Sequence, residues 1–501
     1  KYEVSNKDYK EFVSAGGYAR QEYWKFPVVK DGHTVSWQDA MSLFRDRTSL
    51  PGPRDWSSQT FPDGKVEHPV TGITWYEAAA YAEFRGKKLP TVFQWEKAAR
   101  NGSHQDASYK MPWGDQYPGD SFANRANFEN TGTVPVDSEE FGISEFGAFN
   151  MAGNVSEWVL NKGPDGYYAT GGAWGEPPYT FSYSGEYPGL FESSKRGFRC
   201  VSLVAADRAS GDQGGAPLQI GQSVPAYVRT TDAQFREIAR PYDYVKTPLD
   251  AEVVEAVETA DWRREKITFN GAGGKRVIAY LYLPHNASRP LQVVQMMAGS
   301  DVESGITAVP VSAEGWLGSV VRSGRALLAV VTEGNSERPW PADFKKPPYD
   351  SVEWRDLVVA RFTDHRRGID YLETRDDIDL SRMAYVGISA GAAQGIILPA
   401  IEGRYRSVFL ISAGLPSFFK TNQPAANPIN FAPHVRQPKY VLNGRFDENF
   451  PIKSTVEPMM NLFPEPKELQ LYDGPHAPPM EVLIPAMNKF FDRTLGPVRR
   501  Q

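Results

Sequence analysis

The stretch that decides the fold of the C-terminal half is Met383-Ala384-Tyr385-Val386-Gly387-Ile388-Ser389-Ala390-Gly391-Ala392-Ala393. It joins a short apolar run, typical of a strand, to a run of small residues typical of the start of a helix. Between the two lies the pattern Gly-x-Ser-x-Gly, which places a serine on a sharp strand-to-helix turn. Such a turn is strained and closely packed, so the residues two positions before and after the serine must be small. The stretch therefore predicts Ser389 as a nucleophile, and the helix that follows favours developing negative charge beside it.

Apolar runs around this turn alternate with helical or mixed segments from about residue 232 onward. The strand-like runs are 277–282, 293–297, 326–331, 384–386, 408–412 and 440–442. This alternation is typical of a parallel sheet that is covered by helices on both faces. Together with the serine turn, it predicts the doubly wound sheet of an α/β-hydrolase.

A serine nucleophile needs a base, and the base needs an acid that orients it. In this fold class the chain order is serine, acid, histidine, and two histidines follow Ser389. His476 lies in a turn after a strand-like run and before a helix predicted for 480–491. His434 lies in a Pro-rich loop that follows no strand. We therefore predict His476 as the base and interpret His434 as a surface loop histidine.

Three carboxylates compete for the role of the acid. Asp447 follows the run 440–442 by a few residues. Its distance along the chain from the nucleophile and from the base leaves room for about one βα unit or less. Glu448 and Asp473 are rivals, which we interpret as solvated loop charges. Asp447 is the predicted acid.

An oxyanion that forms during attack on a carbonyl group needs hydrogen-bond donors. One donor should be the backbone N–H of Ala390, and the second should come from the loop after an earlier strand. The residues Met-Ala-Gly-Ser-Asp at 297–301 follow such a run. Ser300 is therefore the candidate for the second donor, with an ordinary Gly-Ser turn as the alternative.

These residues resemble the dienelactone hydrolase and acyl-peptidase-like branch of the α/β-hydrolases. Besides the serine turn, the resemblance rests on 370–379, on Asn-Gly-Arg-Phe-Asp at 443–447 and on Gly-Pro-His at 474–476, and it covers most of 240–495. It implies hydrolysis of carboxylic esters or, less often, of peptide bonds, without a cofactor. The first half of the chain has no propeller pattern, so we expect an esterase (EC 3.1.1) that acts on a small-molecule or polymer-linked ester. A serine peptidase is the alternative.

The first 203 residues have many turn signals and two predicted helices. Thr74 and Glu77 form a capping-box pattern that predicts a helix to residue 84, and Thr91 opens a second helix to residue 100. Motifs in this half resemble the formylglycine-generating-enzyme and sulfatase-modifying-factor domain, an α+β variant of the C-type-lectin-like fold. The matching stretches are 2–6, 68–78, 88–100, 112–115, 150–158 and 196–199.

Cysteine usage departs from that family. In the modifying enzymes, a pair of cysteines ahead of the final Gly-Phe-Arg motif binds copper. Here the corresponding stretch 171–179 contains no cysteine, and Cys200 is the single cysteine of the chain. We therefore predict a non-catalytic, lectin-like module that shapes the cleft or binds substrate.

The same resemblance implies a structural calcium ion. In the family, the segment that matches 150–157 holds Ca²⁺ through an Asn side chain, two backbone carbonyl groups and a Glu carboxylate. Carried over residue by residue, the ligands are Asn150, Gly153, Val155 and Glu157. Oxygen ligands of these kinds suit Ca²⁺. A turn that is held by hydrogen bonds alone is the alternative, and no cofactor is expected for catalysis.

Composition limits the partners of the 501-residue chain. Its net charge is −6 and it has no Lys/Arg run that could follow a phosphate backbone, so we expect no nucleic-acid partner. No apolar run approaches the roughly 20 residues that span a bilayer, so we expect no membrane segment in this chain. The predicted boundaries are 1–203 for the first domain, 204–237 for a polar, Gly-rich linker and 238–497 for the hydrolase domain.

The pairing of the two domains resembles the C-terminal region of bacterial proteins that are linked to serine/threonine kinases. This resemblance implies a kinase region upstream in a parent protein. The chain would then be a binding or sensory module with a regulatory hydrolase domain. A cytoplasmic and an extracytoplasmic location both fit a chain with one cysteine.

Overall fold

The chain folds into two units, Lys1–Gly221 and Gln222–Gln501. The structure is a computed structural model that describes residues 1–100, 111–114, 125–138, 142–176, 178–202, 227–299, 316–334, 337–341, 343–415 and 421–500. Within these ranges, every helix is too short or too polar to cross a membrane.

The N-terminal unit combines short helices with small sheets. Its elements are α1 (Asn6–Ser14), β1 (Val29–Lys30), β2 (His33–Thr34), α2 (Trp37–Leu43), α3 (Trp75–Phe84), α4 (Val92–Arg100), β3 (Ser156–Lys162), β4 (Tyr167–Thr170), β5 (Ser184–Tyr187) and β6 (Arg196–Phe198). The larger sheet has the order β5-β4-β3-β6, and β1 pairs with β2. The predicted capping box is confirmed: the Glu77 N–H donates to Thr74 Oγ1, and the Thr74 N–H donates to the Glu77 carboxylate.

Aromatic rings form much of the core of this unit. The ring of Tyr9 lies 6.0 Å from that of Trp56, 5.3 Å from that of Tyr81 and 6.3 Å from that of Phe198, measured between centroids. Large flat side chains can fill the space between irregular loops. Aromatic residues, which make up 13% of the chain, therefore help to pack a unit with little regular structure.

The C-terminal unit is built around one large sheet. Its elements are α5 (Asp232–Ala239), β7 (Glu252–Glu258), β8 (Trp262–Asn270), β9 (Arg276–Pro284), β10 (Leu291–Met297), α6 (Trp316–Arg322), β11 (Ala326–Val330), α7 (Val352–Leu372), β12 (Ile378–Ile388), α8 (Ala390–Ala393), α9 (Ile397–Ile401), β13 (Ser407–Ile411), β14 (Lys439–Gly444), α10 (Glu457–Leu462), β15 (Lys467–Tyr472) and α11 (Met480–Leu495). Each of the six predicted strand-like runs coincides with one of these strands, and only 326–331 and 408–412 extend one residue past the strand end.

The strand order is β15-β14-β13-β12-β10-β11-β9-β8-β7. From β15 to β11 all neighbours are parallel, whereas β9, β8 and β7 pair antiparallel. The sheet is therefore mixed: β10 to β15 include the parallel part that was predicted, whereas β9, predicted as one of its strands, pairs antiparallel. The short links between β7 and β8 and between β8 and β9 explain the difference, since a parallel crossover needs a dozen or more residues.

Both faces of the sheet are covered. All seven residues of β10 are buried. Val293 and Met297 pack into the core on one face, and Val294 and Met296 pack into the core on the other. A strand buried on both sides has no polar face, which explains why five of its seven residues are apolar and why its two glutamines, Gln292 and Gln295, are buried as well.

Helix α5 begins inside the stretch predicted as a linker, yet it packs on the C-terminal core. The Phe235 ring stacks on the His434 ring with centroids 3.9 Å apart and meets Phe431 at 5.6 Å. Thr230 Oγ1 lies 3.0 Å from His434 Nε2. The interpretation of His434 as a surface loop histidine is therefore wrong, because this contact buries the ring. The part of the predicted linker 204–237 from residue 227 onward belongs to the C-terminal unit.

Candidate active site

Ser389 lies in the turn between β12 and α8. Its φ of 53° and ψ of −118° are outside the regions that residues with a Cβ usually occupy. Strain of this kind is typical of a turn that exposes a serine hydroxyl above a sheet. A Cβ at Gly387 would lie 2.4 Å from the Gly391 carbonyl oxygen, and a Cβ at Gly391 would lie 2.3 Å from that of Met297. The predicted need for small residues on both sides of the serine is confirmed.

Three side chains meet at the C-terminal edge of the parallel strands. Ser389 follows β12, Asp447 follows β14 and His476 follows β15. His476 Nε2 lies 2.8 Å from Ser389 Oγ, and His476 Nδ1 lies 2.9 Å from both Asp447 carboxylate oxygens. With a proton on Nδ1, the imidazole donates to Asp447 and accepts from the serine hydroxyl, as a general base requires. The structure brings together the three residues that the sequence analysis selected.

The Asp447 side chain is buried and its orientation is fixed by the backbone that follows it. Its Oδ1 accepts hydrogen bonds from the N–H groups of Asn449 and Phe450, both at 2.9 Å. The rival Asp473 is exposed and forms a surface ion pair with Arg445 at 2.7 Å. Of these two carboxylates, Asp447 is the one bonded to the imidazole.

The backbone beside the nucleophile offers hydrogen-bond donors. Ala390 is the first residue of α8, so its N–H has no acceptor within the helix. Ser300, the predicted second donor, lies outside the described residues. Gly299, just before it, lies against the nucleophile: a Cβ there would be 3.1 Å from Ser389 Cβ and 3.7 Å from Oγ. Gly299 was not predicted as part of the site, although a glycine just past a buried strand is typical of a close approach of two backbones.

The predicted calcium ligands lie in a buried polar network of the N-terminal unit. Glu157, in β3, is fully buried, and both its oxygens accept hydrogen bonds from Arg199 at 2.6 Å. Trp95 Nε1 donates to the same carboxylate at 2.8 Å. Asn150 Nδ2 donates to Glu3 at 3.1 Å, whereas Asn150 Oδ1 is buried without a hydrogen-bond partner among the described residues.

These residues fit a cation in part. The unpartnered Asn150 oxygen is of the kind that Ca²⁺ coordinates. The Glu157 carboxylate, in contrast, is already neutralised by Arg199, so a cation would have to share it with a guanidinium group. Gly153 and Val155 are buried on the same segment. Burial raises the pKa of the nearby Glu3 carboxyl to about 8, so Glu3 adds little negative charge at neutral pH.

The single thiol is not poised for reaction. Cys200 is partly buried, and burial raises the pKa of its thiol to about 12. A thiol with such a pKa stays protonated at neutral pH, whereas the thiolate is the reactive and metal-binding form.

Comparison with known proteins assigns the N-terminal unit. Residues 1–204 match the family described as the sulfatase-modifying factor enzyme 1-like domain. The N-terminal unit is a sulfatase-modifying-factor domain. Formylglycine-generating enzyme from Thermomonospora curvata is 32% identical over 194 residues, which cover 34% of this chain and 61% of that enzyme. Serine/threonine-protein kinase pkn1 from Chlamydia pneumoniae is 42% identical over 95 residues, which cover 19% of this chain and 14% of that protein.

The chain spans only part of each of these relatives, 61% of the length of the first and 14% of the length of the second. Among solved structures, acetyl xylan esterase from Paenibacillus sp. R4 has 18% identity and a TM-score of 0.45, covering 54% of this chain and 97% of that one. The C-terminal unit has the α/β-hydrolase fold on the basis of its own strand order and of the turn at Ser389.

Proposed function

We propose that the chain is a serine carboxylic-ester hydrolase in which Ser389, Asp447 and His476 form a catalytic triad. The observation that carries the proposal is the hydrogen-bonded series from Ser389 Oγ through the imidazole to the Asp447 carboxylate. Asp447 and His476 are buried, whereas Ser389 is partly exposed and can meet a substrate. The first N–H of a helix lies beside the nucleophile, where charge would develop on a carbonyl oxygen.

The geometry supports a two-step reaction. Ser389 Oγ attacks the ester carbonyl carbon while His476 Nε2 takes the hydroxyl proton, and His476 then gives this proton to the departing alcohol. The resulting acyl-serine is attacked by water, which His476 deprotonates, and the carboxylic acid leaves as the serine is restored. Asp447 stays ionised and stabilises the imidazolium that forms in both steps. The Ala390 N–H stabilises the oxyanion, and these steps need no cofactor.

Short-chain p-nitrophenyl esters test this function. We expect the wild-type protein to release p-nitrophenol and a fluorophosphonate probe to label Ser389, because both reactions need an activated serine. A screen of alkyl and glycoside esters would then define the natural acyl and alcohol groups. Turnover of acyl-amino-acid anilides without ester turnover would favour a peptidase. Absence of both turnover and labelling would contradict a serine hydrolase.

Asp447→Asn should lower kcat by about 10⁴-fold, because an amide presents the wrong hydrogen-bond partner to His476 Nδ1 and favours the wrong tautomer. KM should change little, since the substitution leaves the imidazole in place and affects proton transfer. Steady-state kinetics on the best p-nitrophenyl ester measure both quantities. Asp473→Asn is the matched control, because Asp473 is an exposed carboxylate on the loop of the base. Equal losses in the two variants would refute the choice of acid.

The N-terminal domain is proposed to bind substrate without performing chemistry of its own. The stretch 171–179, which corresponds to the copper-binding cysteines of the resembled enzymes, contains no cysteine. The thiol of Cys200 is protonated at neutral pH because of its raised pKa. A role in binding a polymer-linked ester would suit a lectin-like module in a chain whose other unit has a hydrolase site.

Asn150, Gly153, Val155 and Glu157 are proposed to hold a weakly bound structural calcium ion. Calcium should raise the melting temperature of the wild type, because a ligand that binds the folded state alone stabilises it. Asn150→Gly should abolish this increment, since it removes the unpartnered oxygen and glycine adopts the φ of 49° without strain. Melting curves in calcium and in chelator give the measurement.

A buried asparagine of the same unit provides the control for calcium binding. Asn161→Ala removes an oxygen that accepts the Val92 N–H at 2.8 Å, so it should lower the melting temperature but keep the calcium increment. Glu157→Ala is less informative, because stranding Arg199 costs about 3–5 kcal/mol whether or not calcium binds. A wild-type curve that is indifferent to calcium and chelator would leave only a hydrogen-bonded turn.

A second candidate function is a binding or sensory module of a kinase-linked signalling protein. The match to the protein named serine/threonine-protein kinase pkn1 favours it. In this case a kinase region would lie upstream in the parent protein, and the hydrolase site would have a regulatory role. Wild-type ester turnover no greater than that of Ser389→Ala would favour this candidate.

A further inference from the structure

Two hydroxyl groups hold the backbone carbonyl of His476. Ser412 Oγ donates a hydrogen bond to this oxygen, and the Tyr472 hydroxyl lies 3.1 Å from it and 2.6 Å from the Pro475 carbonyl oxygen. Ser412 and Tyr472 are both buried. Residues 473–479, which carry the imidazole, form neither a helix nor a strand. The position of this loop therefore depends on contacts of this kind.

Ser412 also has an unusual backbone conformation. Its φ is 51°, in the left-handed region that residues with a Cβ rarely adopt. The Ser412 N–H donates to the Leu442 carbonyl at 2.8 Å, and the Ala413 N–H donates to Asn443 Oδ1 at 2.9 Å. Strained conformations persist where several contacts determine them together. Here the strained turn directs the Ser412 hydroxyl at the His476 carbonyl.

The turn at Ser412 is also connected to the acid, Asp447, through hydrogen bonds. Asn443, which accepts the Ala413 N–H, places its Nδ2 3.5 Å from Asp447 Oδ2. Gly444 lets the loops of acid and base touch, because a Cβ there would lie 2.2 Å from the Pro475 carbonyl oxygen. The residues that follow β13 thus contact the loop of the base directly and are linked to the acid through Asn443, at the end of β14.

We propose that Ser412 is a positioning residue whose hydroxyl, together with that of Tyr472, fixes the His476 backbone so that Nε2 stays within hydrogen-bond distance of Ser389 Oγ. This inference rests on the proposed serine hydrolase function. A catalytic group displaced by about 1 Å can cost about 10²-fold in rate. The loss should fall on kcat, because a displaced imidazole affects proton transfer and not the binding of the ester.

The test compares Ser412→Gly and Tyr472→Phe with the wild type. Glycine adopts a φ of 51° without strain, so Ser412→Gly removes the hydroxyl and relieves the backbone at the same time. We expect kcat and the rate of fluorophosphonate labelling to fall by about 10- to 100-fold, with KM unchanged. The double variant should lose less than the product of the two single losses, since both hydroxyls hold one carbonyl group.

Ser407→Ala is the matched control, because Ser407 is a buried serine at the other end of β13 and its Oγ accepts from Thr494 Oγ1 at 3.0 Å. This variant should lower the melting temperature and keep wild-type kcat. Wild-type labelling and turnover in Ser412→Gly would overturn the inference alone, as would a loss of kcat that follows the melting temperature equally in both serine variants. A wild-type protein that neither labels nor turns over esters would overturn the proposed function and the inference with it.

Discussion

Replacing Ser389 by alanine should lower ester turnover by about 10⁶-fold, the size of loss expected when a triad nucleophile is removed. The substitution deletes the oxygen that lies 2.8 Å from His476 Nε2, so no acyl-serine can form. Alanine keeps the Cβ that already occupies the strained turn, and Ser389 is partly exposed, so the fold should be unaffected. Initial rates of p-nitrophenol release measure the effect, and intact-protein mass after fluorophosphonate treatment reports the loss of labelling.

Ser381→Ala is the control for the nucleophile. Ser381 is an exposed serine on the same strand, and its hydroxyl donates to Asp379 at 2.5 Å. This variant should retain full turnover and full labelling at Ser389. A Ser389→Ala protein that keeps a tenth or more of wild-type activity would show that another group carries the reaction.

His476→Ala should cost nearly as much, again about 10⁶-fold, because a triad works as a unit and a serine hydroxyl without its base is a poor nucleophile. The imidazole is bonded both to Ser389 Oγ and to Asp447, so its removal leaves the hydroxyl without a proton acceptor. Turnover and labelling should fall together, since both need an activated serine. The same two assays measure these losses.

The second histidine after the nucleophile supplies the control for the base. His434→Gln removes the ring that stacks on Phe235, so it should lower the melting temperature. The kcat per folded molecule should stay at the wild-type value. His434 packs against Phe235 of α5, whereas the triad residues follow the ends of β12, β14 and β15. Equal losses of kcat from His434→Gln and His476→Ala would overturn the choice of base.

The triad could be predicted because each member has a local signature. The turn at Ser389 is encoded by consecutive small residues, and the loops of Asp447 and His476 each follow a recognisable strand-like run. Two histidines follow the nucleophile, and the strand-like run before His476 then selects it as the base. All of these signals come from residues that are neighbours in sequence. The strained turn at Ser389 and the hydrogen bond between Ser389 and His476 agree with them.

The features that were missed depend on partners far apart in sequence. Burial of His434 results from Phe235, which lies 199 residues earlier in the chain. The φ of Ser412 is set by contacts with Leu442 and His476, and a serine after a strand carries no local signal of such a conformation. The antiparallel pairing of β7, β8 and β9 was also missed, because those strands lack the regular alternation with helices that marked the parallel part.

Helix α5 has a consequence for how the C-terminal unit can be exchanged between proteins during evolution. The arm from residue 227 to 239 precedes the sheet in sequence but shields the rings of Phe431 and His434. A recombination breakpoint at residue 238 would separate these rings from their cover and expose apolar surface to water. A breakpoint before residue 227 would transfer the arm together with its body. The segment that can be transferred between multidomain proteins therefore includes this arm, and related α/β-hydrolase-fold units joined to other domains should carry it with them.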